Sequence, residues 1–384
     1  MKQQQNAESI PVYWKKNGYP LASETSFSML AVKTILEEKP YPIKAAVISH
    51  QNIVSHIPND DSVVKALEKL EFVAVIDSMW SETCKYADVI LPAKFFFETT
   101  SATINVVSKS PVGQISVWKK AIDPPEGVDA KSVAEIVFEL TKRLMPEKAE
   151  GGKRLLTPEE IWKEQAKALE IDLEKLLENG TMALYDSPDY SPLTAAGVLP
   201  TDTGEIELLN LKALKQFSEY RDKPDNLNPF PTWVEPRYSE NRQLGDDEFI
   251  PVDYMHNLTA INTWARNTQL LIELVKWDDM DKVFIHRERA EKLGIKEGDT
   301  VEVYNPKDGR SIRVKVKLTE LINKDVIAGV HGLNPGKHEA NDVKFTYMVK
   351  HGINTNFVAP FEIVEGIGCS ALQDFVVKVR KVST

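Results

Sequence analysis

Residues 281–318 read DKVFIHRERAEKLGIKEGDTVEVYNPKDGRSIRVKVKL, and this stretch decides the fold of the C-terminal part of the chain. Its pattern predicts a short strand, then one or two helical turns that end at Gly294 as a left-handed cap. A turn at Gly298 and a second strand follow. Asp308-Gly309 indicates a hairpin, and the return strand has an apolar residue at every second position. The predicted order is strand, short helix, turn and two-stranded ribbon.

Composition limits the size of the protein and the class of its partners. The 384 residues are enough for two or three domains with separate cores. A formal net charge of −10 argues against nucleic acid as the main partner. No apolar run approaches the roughly 20 residues of a membrane span, and the start MKQQQNAESIP lacks the features of a secretory signal. Localisation stays open between the cytoplasm and export within a complex.

Cysteine and histidine usage bears on metal binding. Cys84 and Cys369 are the only cysteines, whereas an iron–sulfur cluster takes four ligands of this kind. The seven histidines show no HExxH or similar ligand spacing. We therefore expect no metal cluster to be held on this chain.

Three short apolar runs organise the N-terminal part: IKAAVIS (43–49), FVAVI (72–76) and VIL (89–91). Unbroken runs of this length are typical of parallel strands that are buried on both faces. A helix is predicted between the first two, with Asp60 or Asp61 as its N-cap. Strand, helix, strand, short helix, strand predicts a doubly wound α/β unit. In such a sheet ligands bind beyond the carboxyl ends of the strands, where Asp77 lies, although an Asp there is also a common helix cap.

A later segment carries a simpler signal. Thr157-Pro158-Glu159-Glu160 is a capping box with Pro at the first helical position, so it predicts the start of a helix.

Two phrases from different parts of the chain resemble the same family. FVAVIDSMWSETCKYADVILPA (72–93) is similar to the strand–Asp–TETA–YADVVLP signature of molybdopterin oxidoreductases, the DMSO reductase family. AEKLGIKEGDTVEV (290–303) resembles the C-terminal dinucleotide-binding domain of that family. TGEIELLN (203–210) looks like a strand of the same family, so the resemblance implies a strand there. The resemblance implies an α/β doubly wound domain of the formate dehydrogenase/DMSO reductase type over residues 1–240, with a core at about 40–150 and an extension at 151–240. It implies a double-psi β-barrel, the molybdopterin dinucleotide-binding domain, over residues 250–384.

The resemblance also implies a cofactor, bis-molybdopterin guanine dinucleotide with molybdenum or tungsten. Guanine and pterin edges are suited to carboxylates, amides and histidines, and phosphates are suited to N–H donors. Carried over by motif, the cofactor-binding candidates are Asn52, Asp77, His256, Asn262, Thr263, Asn354, Asn356 and Gln373. Asn262, Asn354 and Asn356 have an alternative explanation as turn formers, and His256 as a structural histidine. Thr99 and Val133 depart from the charged contacts of many members.

The resemblance covers nearly all of this chain but only the C-terminal half or so of a family protein. It implies that the [4Fe–4S] cluster and the metal-ligating side chain belong to an N-terminal part, missing here or encoded as a separate chain. The resemblance therefore implies no catalytic residue and no metal ligand on this chain. The expected partners are that part and an iron–sulfur electron-transfer subunit, with a membrane-anchor subunit as a further candidate. The reaction class would be two-electron oxidoreduction at the metal.

The C-terminal phrases GINTN (352–356) and ALQDFVVKV (371–379) favour the thiosulfate, polysulfide and tetrathionate reductase branch. Formate dehydrogenase and arsenate reductase remain open. Two other classes are alternatives: a non-catalytic relative, like the large iron–sulfur subunit of respiratory complex I, and a protein-binding module, like the barrels at the front of some ATPases. The Asn and His loops argue against the first, and the YADVILP segment argues against the second.

Overall fold

The structure is a computed structural model that describes most of the chain. The chain divides into two compact units. Met1–Val75, Met79–Ile90 and Leu209–Thr384 form the first unit, and Ile76–Ser78 with Leu91–Leu208 form the second. The units cut across the expected division near residue 240. The described residues are 9–19, 27–106, 114–146, 157–183, 201, 203–210, 214–215, 230–233, 235–236, 243–255, 269–331, 333, 351–364 and 366–382.

The N-terminal strands form a three-stranded sheet in the order β1-β2-β3. Its elements are helices α1 (Ile10–Lys16) and α2 (Phe27–Glu37), β1 (Ala45–Ser49), α3 (Ile53–His56), α4 (Asp60–Lys69), β2 (Phe72–Asp77), a 3-10 helix (Glu82–Tyr86) and β3 (Val89–Pro92). Apolar residues of α2 and α4 pack on one face of β1 and β2 in a shared core. The predicted α/β unit is confirmed.

The N-cap of α4 differs from the prediction. Asn59, not Asp60 or Asp61, precedes the helix, and its side-chain oxygen accepts a hydrogen bond from the backbone N–H of Ser62 at 3.1 Å. Asn59 has a φ of 63°, a left-handed conformation that Asn tolerates better than most residues. The helix therefore begins one residue earlier than its acidic first turn suggested.

The second unit contains a small antiparallel sheet that the sequence did not predict. Its elements are β4 (Asn105–Val106), β5 (Gln114–Ser116), helices α5 (Val133–Leu144), α6 (Pro158–Ala168) and α7 (Leu173–Asn179), and β6 (Thr181–Ala183). The capping box is confirmed, because Thr157 and Glu160 bond each other's backbone N–H. The strand prediction for residues 203–210 is wrong: Ile206 and Leu208 are exposed, and no neighbouring strand is described there.

The C-terminal part is a closed six-stranded barrel with the strand order β10-β8-β11-β7-β12-β9. Its elements are β7 (Glu248–Tyr254), α8 (Gln269–Trp277), β8 (Val283–His286), α9 (Arg287–Lys292), β9 (Thr300–Tyr304), β10 (Ser311–Thr319), β11 (Val326–Val330), α10 (Thr355–Val358) and β12 (Val377–Lys381). The pairs β10–β8 and β11–β7 are parallel, and the other pairs are antiparallel. Alternate residues of these strands fill the interior, as in small barrels generally. The barrel confirms the predicted fold class.

The local predictions for the stretch 281–318 are confirmed. Helix α9 ends at Gly294, whose φ is 65°, and the backbone N–H of Ile295 returns to the carbonyl of Ala290 at 2.8 Å. Strands β9 and β10 form the hairpin that contains Gly309. No helix in the described part of the chain is long and apolar enough to cross a membrane.

Gly298 gives a test of the turn between α9 and β9. Its φ is 78°, and a Cβ there would meet no atom within 4 Å, so a substitution costs backbone strain rather than a clash. We expect Gly298→Val to lower the free energy of unfolding by about 1–3 kcal/mol, measured by urea denaturation. Gly298→Asn is the matched control, because Asn tolerates the left-handed region, and it should cost clearly less. Equal effects of the two variants would contradict this assignment.

Candidate functional site

The carboxyl ends of two parallel barrel strands meet at one edge. Strand β7 pairs with β11 so that Asp253 is opposite Gly329 and Tyr254 is opposite Val330. The backbone N–H of His331, the first residue after β11, donates to the carbonyl of Tyr254 at 2.9 Å. This register places Asp253 and His331 side by side at the strand ends, although 77 residues separate them in sequence.

Asp253 accepts one hydrogen bond on each carboxylate oxygen. His331 Nδ1 lies 2.6 Å from Oδ2, and Gln373 Nε2 donates to Oδ1 at 3.0 Å. The hydrogen bond from His331 is the main cause that lowers the pKa of Asp253, with a further contribution from Gln373 and an opposing effect of burial. Asp253 is therefore ionised near neutral pH.

An ionised Asp253 fixes how its two neighbours are oriented. His331 Nδ1 must carry the proton that it donates, so Nε2 is the ring nitrogen that remains for a ligand. Gln373 must direct its amide N–H group at the carboxylate, so its Oε1 points elsewhere. Within the described parts of the chain, neither His331 Nε2 nor Gln373 Oε1 has a hydrogen-bond partner. The arrangement leaves one imidazole nitrogen and one amide oxygen on either side of one carboxylate.

Gln373 has an unusual backbone conformation. Its φ is 62°, in the left-handed region that residues other than glycine adopt rarely. Such conformations cost free energy and tend to occur at functional sites. The side chain is exposed apart from its bond to Asp253.

Asn354 and Asn356 join the barrel to the end of α3 within the first unit. Asn354 Nδ2 donates to the carbonyl and hydroxyl oxygens of Ser55, at 3.1 and 3.0 Å. Asn356 Nδ2 donates to the carbonyls of Ser55 and His56, at 3.2 and 2.9 Å. Asn354 Oδ1 accepts from the backbone N–H of Asn356 and caps α10. We call these contacts the asparagine clasp.

His331 also influences the pKa of His56, the last residue of α3. Burial lowers the pKa of His56, and positive charge on His331 lowers it further. Because His56 is the last residue of α3, this side of the α/β sheet and the carboxyl end of β11 influence each other electrostatically. His56 is therefore mostly neutral near neutral pH.

The Asn52 side chain makes hydrogen bonds to other residues of the chain. Its Nδ2 donates to Glu82, and its Oδ1 accepts from the hydroxyl and the backbone N–H of Thr83, at 3.0 and 3.3 Å. These bonds hold the loop after β1 against the 3-10 helix (Glu82–Tyr86). Its predicted contact with the cofactor stays a prediction.

Asp77 ends β2 and belongs to the second unit, where its side chain is half-buried. Its carbonyl accepts a hydrogen bond from the backbone N–H of Ala93 at 3.0 Å. The adjacent Ser78 Oγ is buried, and no described residue serves as its partner. The remaining predicted residues, His256, Asn262 and Thr263, lie outside the described residues.

Asp253 and His331 were not predicted from the sequence. Each lies at the end of a barrel strand in the structure, where ligands are often bound, but no motif marks either position. The pair of strands was not predictable, since the parallel β7–β11 neighbourhood depends on the closure of the barrel. Over the described ranges no group of three or more His, Cys, Asp or Glu side chains is placed to hold a metal ion.

Two family models match the chain, one in each predicted part. The molybdopterin oxidoreductase family matches residues 20–143, and the molybdopterin dinucleotide-binding domain matches residues 253–363. The chain belongs to the molybdopterin oxidoreductase family. These matches support a molybdopterin as the cofactor of its two domains.

Two curated relatives that match this chain are named as reductases, and each of them is a longer protein. Trimethylamine-N-oxide reductase 1 of Escherichia coli is 24% identical over 286 residues, which are 69% of this chain and 32% of the relative. The dimethyl sulfoxide/trimethylamine N-oxide reductase of Rhodobacter capsulatus is 27% identical over 326 residues, 78% of this chain and 36% of the relative. This member of the family thus spans about a third of the length of these relatives.

A solved structure shows the same fold. Acetylene hydratase from Pelobacter acetylenicus matches with a TM-score of 0.73 and 17% identity. The match covers 96% of this chain and 52% of that protein.

The described residues fit a molybdopterin dinucleotide. The imidazole nitrogen of His331 and the amide oxygen of Gln373 suit polar ring atoms of a heterocycle, and the buried hydroxyl of Ser78, which has no partner among the described residues, suits a polar ligand atom. Asp253 would orient His331 and Gln373, and the clasp would hold the loop that carries Asn354 and Asn356.

The asparagine clasp can be tested with Asn356→Asp. The variant replaces two N–H donors with a carboxylate that faces the carbonyls of Ser55 and His56. We expect a loss of about 2–3 kcal/mol in the free energy of unfolding at pH 7, measured by urea denaturation. Asn323→Asp is the control, because the exposed Asn323 acts only as an acceptor, for Asp325 N–H, and an Asp keeps that bond. If both variants cost the same, the clasp is not a stabilising contact.

The Asp253 pair predicts a pH dependence. Since the folded pKa of Asp253 is lowered, its contribution to stability is present above the ordinary carboxyl pKa of about 4. The contribution is lost as the pH falls through the lowered folded value. Asp253→Asn should therefore cost about 1–3 kcal/mol near neutral pH and converge with the wild type in acid. Unfolding curves across this range measure it, with the exposed Asp129→Asn as the control. A difference that does not change with pH would rule out the ionised pair.

Proposed function

We propose that this chain is the C-terminal, cofactor-binding part of the catalytic subunit of a bis-molybdopterin guanine dinucleotide oxidoreductase, with molybdenum or tungsten. The observation that carries the proposal is the presence of both matched families, in order, in one chain. The polar groups at the carboxyl ends of β7 and β11 support it, because they are placed where a barrel can receive a ligand.

The cofactor, when bound, would supply two-electron chemistry at its metal. The residues of this chain would bind and orient it. Asp253 holds the His331 ring and the Gln373 amide in one orientation each. The asparagine clasp fixes the 353–358 loop against α3, so that the loop keeps its position when a ligand enters. Rigid support of this kind determines how accurately a site holds its ligand.

The domains that relatives possess beyond the matched region would complete the active site. They would come from a longer chain or from a separate N-terminal subunit, which would also contribute the [4Fe–4S] cluster and the metal ligand. An iron–sulfur electron-transfer subunit would remove or deliver electrons, and a membrane-anchor subunit is a further candidate. The two cysteines of this chain are too few for such a cluster.

For the substrate we propose a small anion such as thiosulfate, polysulfide or tetrathionate, on the basis of the C-terminal phrases at 352–356 and 371–379. A second candidate is an N-oxide or S-oxide, because the curated relatives are named for trimethylamine N-oxide and dimethyl sulfoxide. Viologen-linked assays of the assembled protein with each compound distinguish the two.

The cofactor is tested by analysing the protein alone and assembled with its partner. The assembled protein should contain molybdenum or tungsten and release guanine nucleotide on acid hydrolysis. The chain alone should contain little metal and show no turnover with viologen dyes. Steady turnover by the isolated 384 residues would overturn the proposal. An assembled protein without guanine nucleotide would also overturn it.

Asp77 gives a residue-level prediction within this function. Its position at the end of β2, beside the orphaned Ser78 hydroxyl, supports a contact with the dinucleotide. Asp77→Ala should lower the guanine nucleotide content of the assembled protein several-fold while its melting temperature stays close to that of the wild type. Asp123→Ala, which removes an exposed carboxylate paired with Lys120, is the control. Unchanged nucleotide content in Asp77→Ala would show that Asp77 is only a turn residue.

A further inference from the structure

We infer that strand β1 is a docking surface, which receives a parallel strand and a covering helix from the N-terminal part of the catalytic subunit. The surface consists of the outer backbone edge of β1 and the side chains of Ala45 and Val47, and we call it the β1 surface. The inference rests on the proposed function and deepens it, because it names where that part joins this chain.

The topology of the N-terminal sheet carries the first step. Its three strands lie side by side in the order in which they occur in the sequence, and helical segments connect them. This is the arrangement of one half of a doubly wound sheet, whose two halves meet along the first strand of each. Since β1 is the first strand of this half, a second half would pair with its outer edge.

The two faces of β1 carry the second step. Ala46 and Ile48 pack in the core that contains α2 and α4. Val47 lies on the opposite face and is 55% exposed, and Ala45 on that face is exposed as well. In a doubly wound sheet, right-handed connections that run in opposite directions from the joint place their helices on opposite faces. A second half would therefore bring a helix to the face that Val47 leaves open.

The two edges of the sheet carry the third step. Strand β3 ends in Pro92, which has no N–H to donate and whose carbonyl accepts a hydrogen bond from the backbone N–H of Lys131 at 3.2 Å. Natural edge strands are commonly protected by proline or by charged side chains. Strand β1, with the sequence AAVIS, has neither, and no described strand lies beyond it. Its edge is therefore suited to pairing.

The length of the relatives argues for one occupant. The match covers 32% of trimethylamine-N-oxide reductase 1 and 52% of acetylene hydratase, so the family fold has room for a second half of the sheet outside the matched region. One βα segment of that part would supply both the strand and the helix. Its strand should be apolar along its whole length, because strands buried on both faces are. A second copy of this chain is the competing occupant.

Hydrogen exchange tests the β1 surface. It compares the 384-residue chain alone with the assembled protein, in which the N-terminal part is a separate subunit or belongs to one longer chain. We expect the amides of residues 44–50 to exchange at least about tenfold more slowly after assembly, because the edge gains hydrogen-bond partners. Strand β10, which is already paired on both sides, is the control for a general gain in stability. Slowing of residues 44–50 that does not exceed the slowing of β10 would overturn the inference.

Photo-cross-linking identifies the occupant. A benzoylphenylalanine in place of Val47 should cross-link, in the assembled protein, to a strand or helix of the N-terminal part, located by mass spectrometry. The same residue in place of Leu321, which is 94% exposed after β10, is the control and should not give that product. Cross-links from position 47 to a second copy or to this chain alone, or no cross-link at all, contradict the inference.

A charged variant separates assembly from folding. Because Val47 is largely exposed, Val47→Lys should leave the melting temperature of the isolated chain close to that of the wild type. It should weaken assembly about tenfold or more, since the incoming helix would bury the charge. In one longer chain the same loss appears as a lower melting temperature. Val89→Lys, at a 41% exposed valine of the opposite edge strand, is the matched control and should change assembly less than about twofold. Equal losses in the two variants would refute the assignment.

These results can be told apart from failure of the proposed function. An assembled protein that releases guanine nucleotide while residues 44–50 stay unprotected would sink this inference alone. An assembled protein without any dinucleotide would sink the proposed function, whatever covers the β1 surface.

Discussion

The asparagine clasp is the interaction on which the first unit depends. The last turn of a helix leaves carbonyl groups without partners, and α3 is only one turn long. Asn354 and Asn356 satisfy the carbonyls of Ser55 and His56 from the far end of the chain. Both amides are buried, so the loss of either would leave unpaired polar groups in a place that water reaches poorly. The clasp therefore ties the end of the first α/β crossover to the barrel.

The packing of the barrel also positions the residues next to the asparagine clasp. Gly329 in β11 is opposite Asp253, and a Cβ at this glycine would lie 2.0 Å from Cγ2 of Ile353. Only a residue without a side chain lets Ile353, the residue before the clasp, seat against the strand. Close packing of this kind links Asp253 in the neighbouring strand to the clasp through a few side chains.

The sequence predicted the elements whose signals are local. The cap at Gly294, the hairpin at Gly309 and the capping box at Thr157 follow from backbone rules that act within a few residues. It did not predict the sheet of β4, β5 and β6, because strands of two or three residues show no measurable alternation. Residues 203–210 resemble a strand in sequence, but a strand forms only when it pairs with another strand, and no partner strand is described beside them.

The site was predictable only in part, because its contacts join residues that are far apart in the sequence. Motifs pointed to Asn354, Asn356 and Gln373, but not to what those side chains contact. The partner of Gln373 is Asp253, which is 120 residues away in the sequence, and its placement follows from barrel closure. Asp253 and His331 carry no motif, so only the register of two parallel strands brings them together. The sequence therefore indicated which side chains could bind a ligand, but not which distant residues they contact in the fold.

The central claim is that the carboxyl ends of β7 and β11 hold the heterocycle of a molybdopterin guanine dinucleotide. The most direct measurement is an electron cryomicroscopy or crystal structure of the assembled protein with its cofactor bound. The account predicts density for a pterin or guanine ring within hydrogen-bond distance of His331 Nε2 and Gln373 Oε1, with the asparagine clasp intact. A bound dinucleotide whose rings and phosphates all lie away from His331 and Gln373 would contradict it.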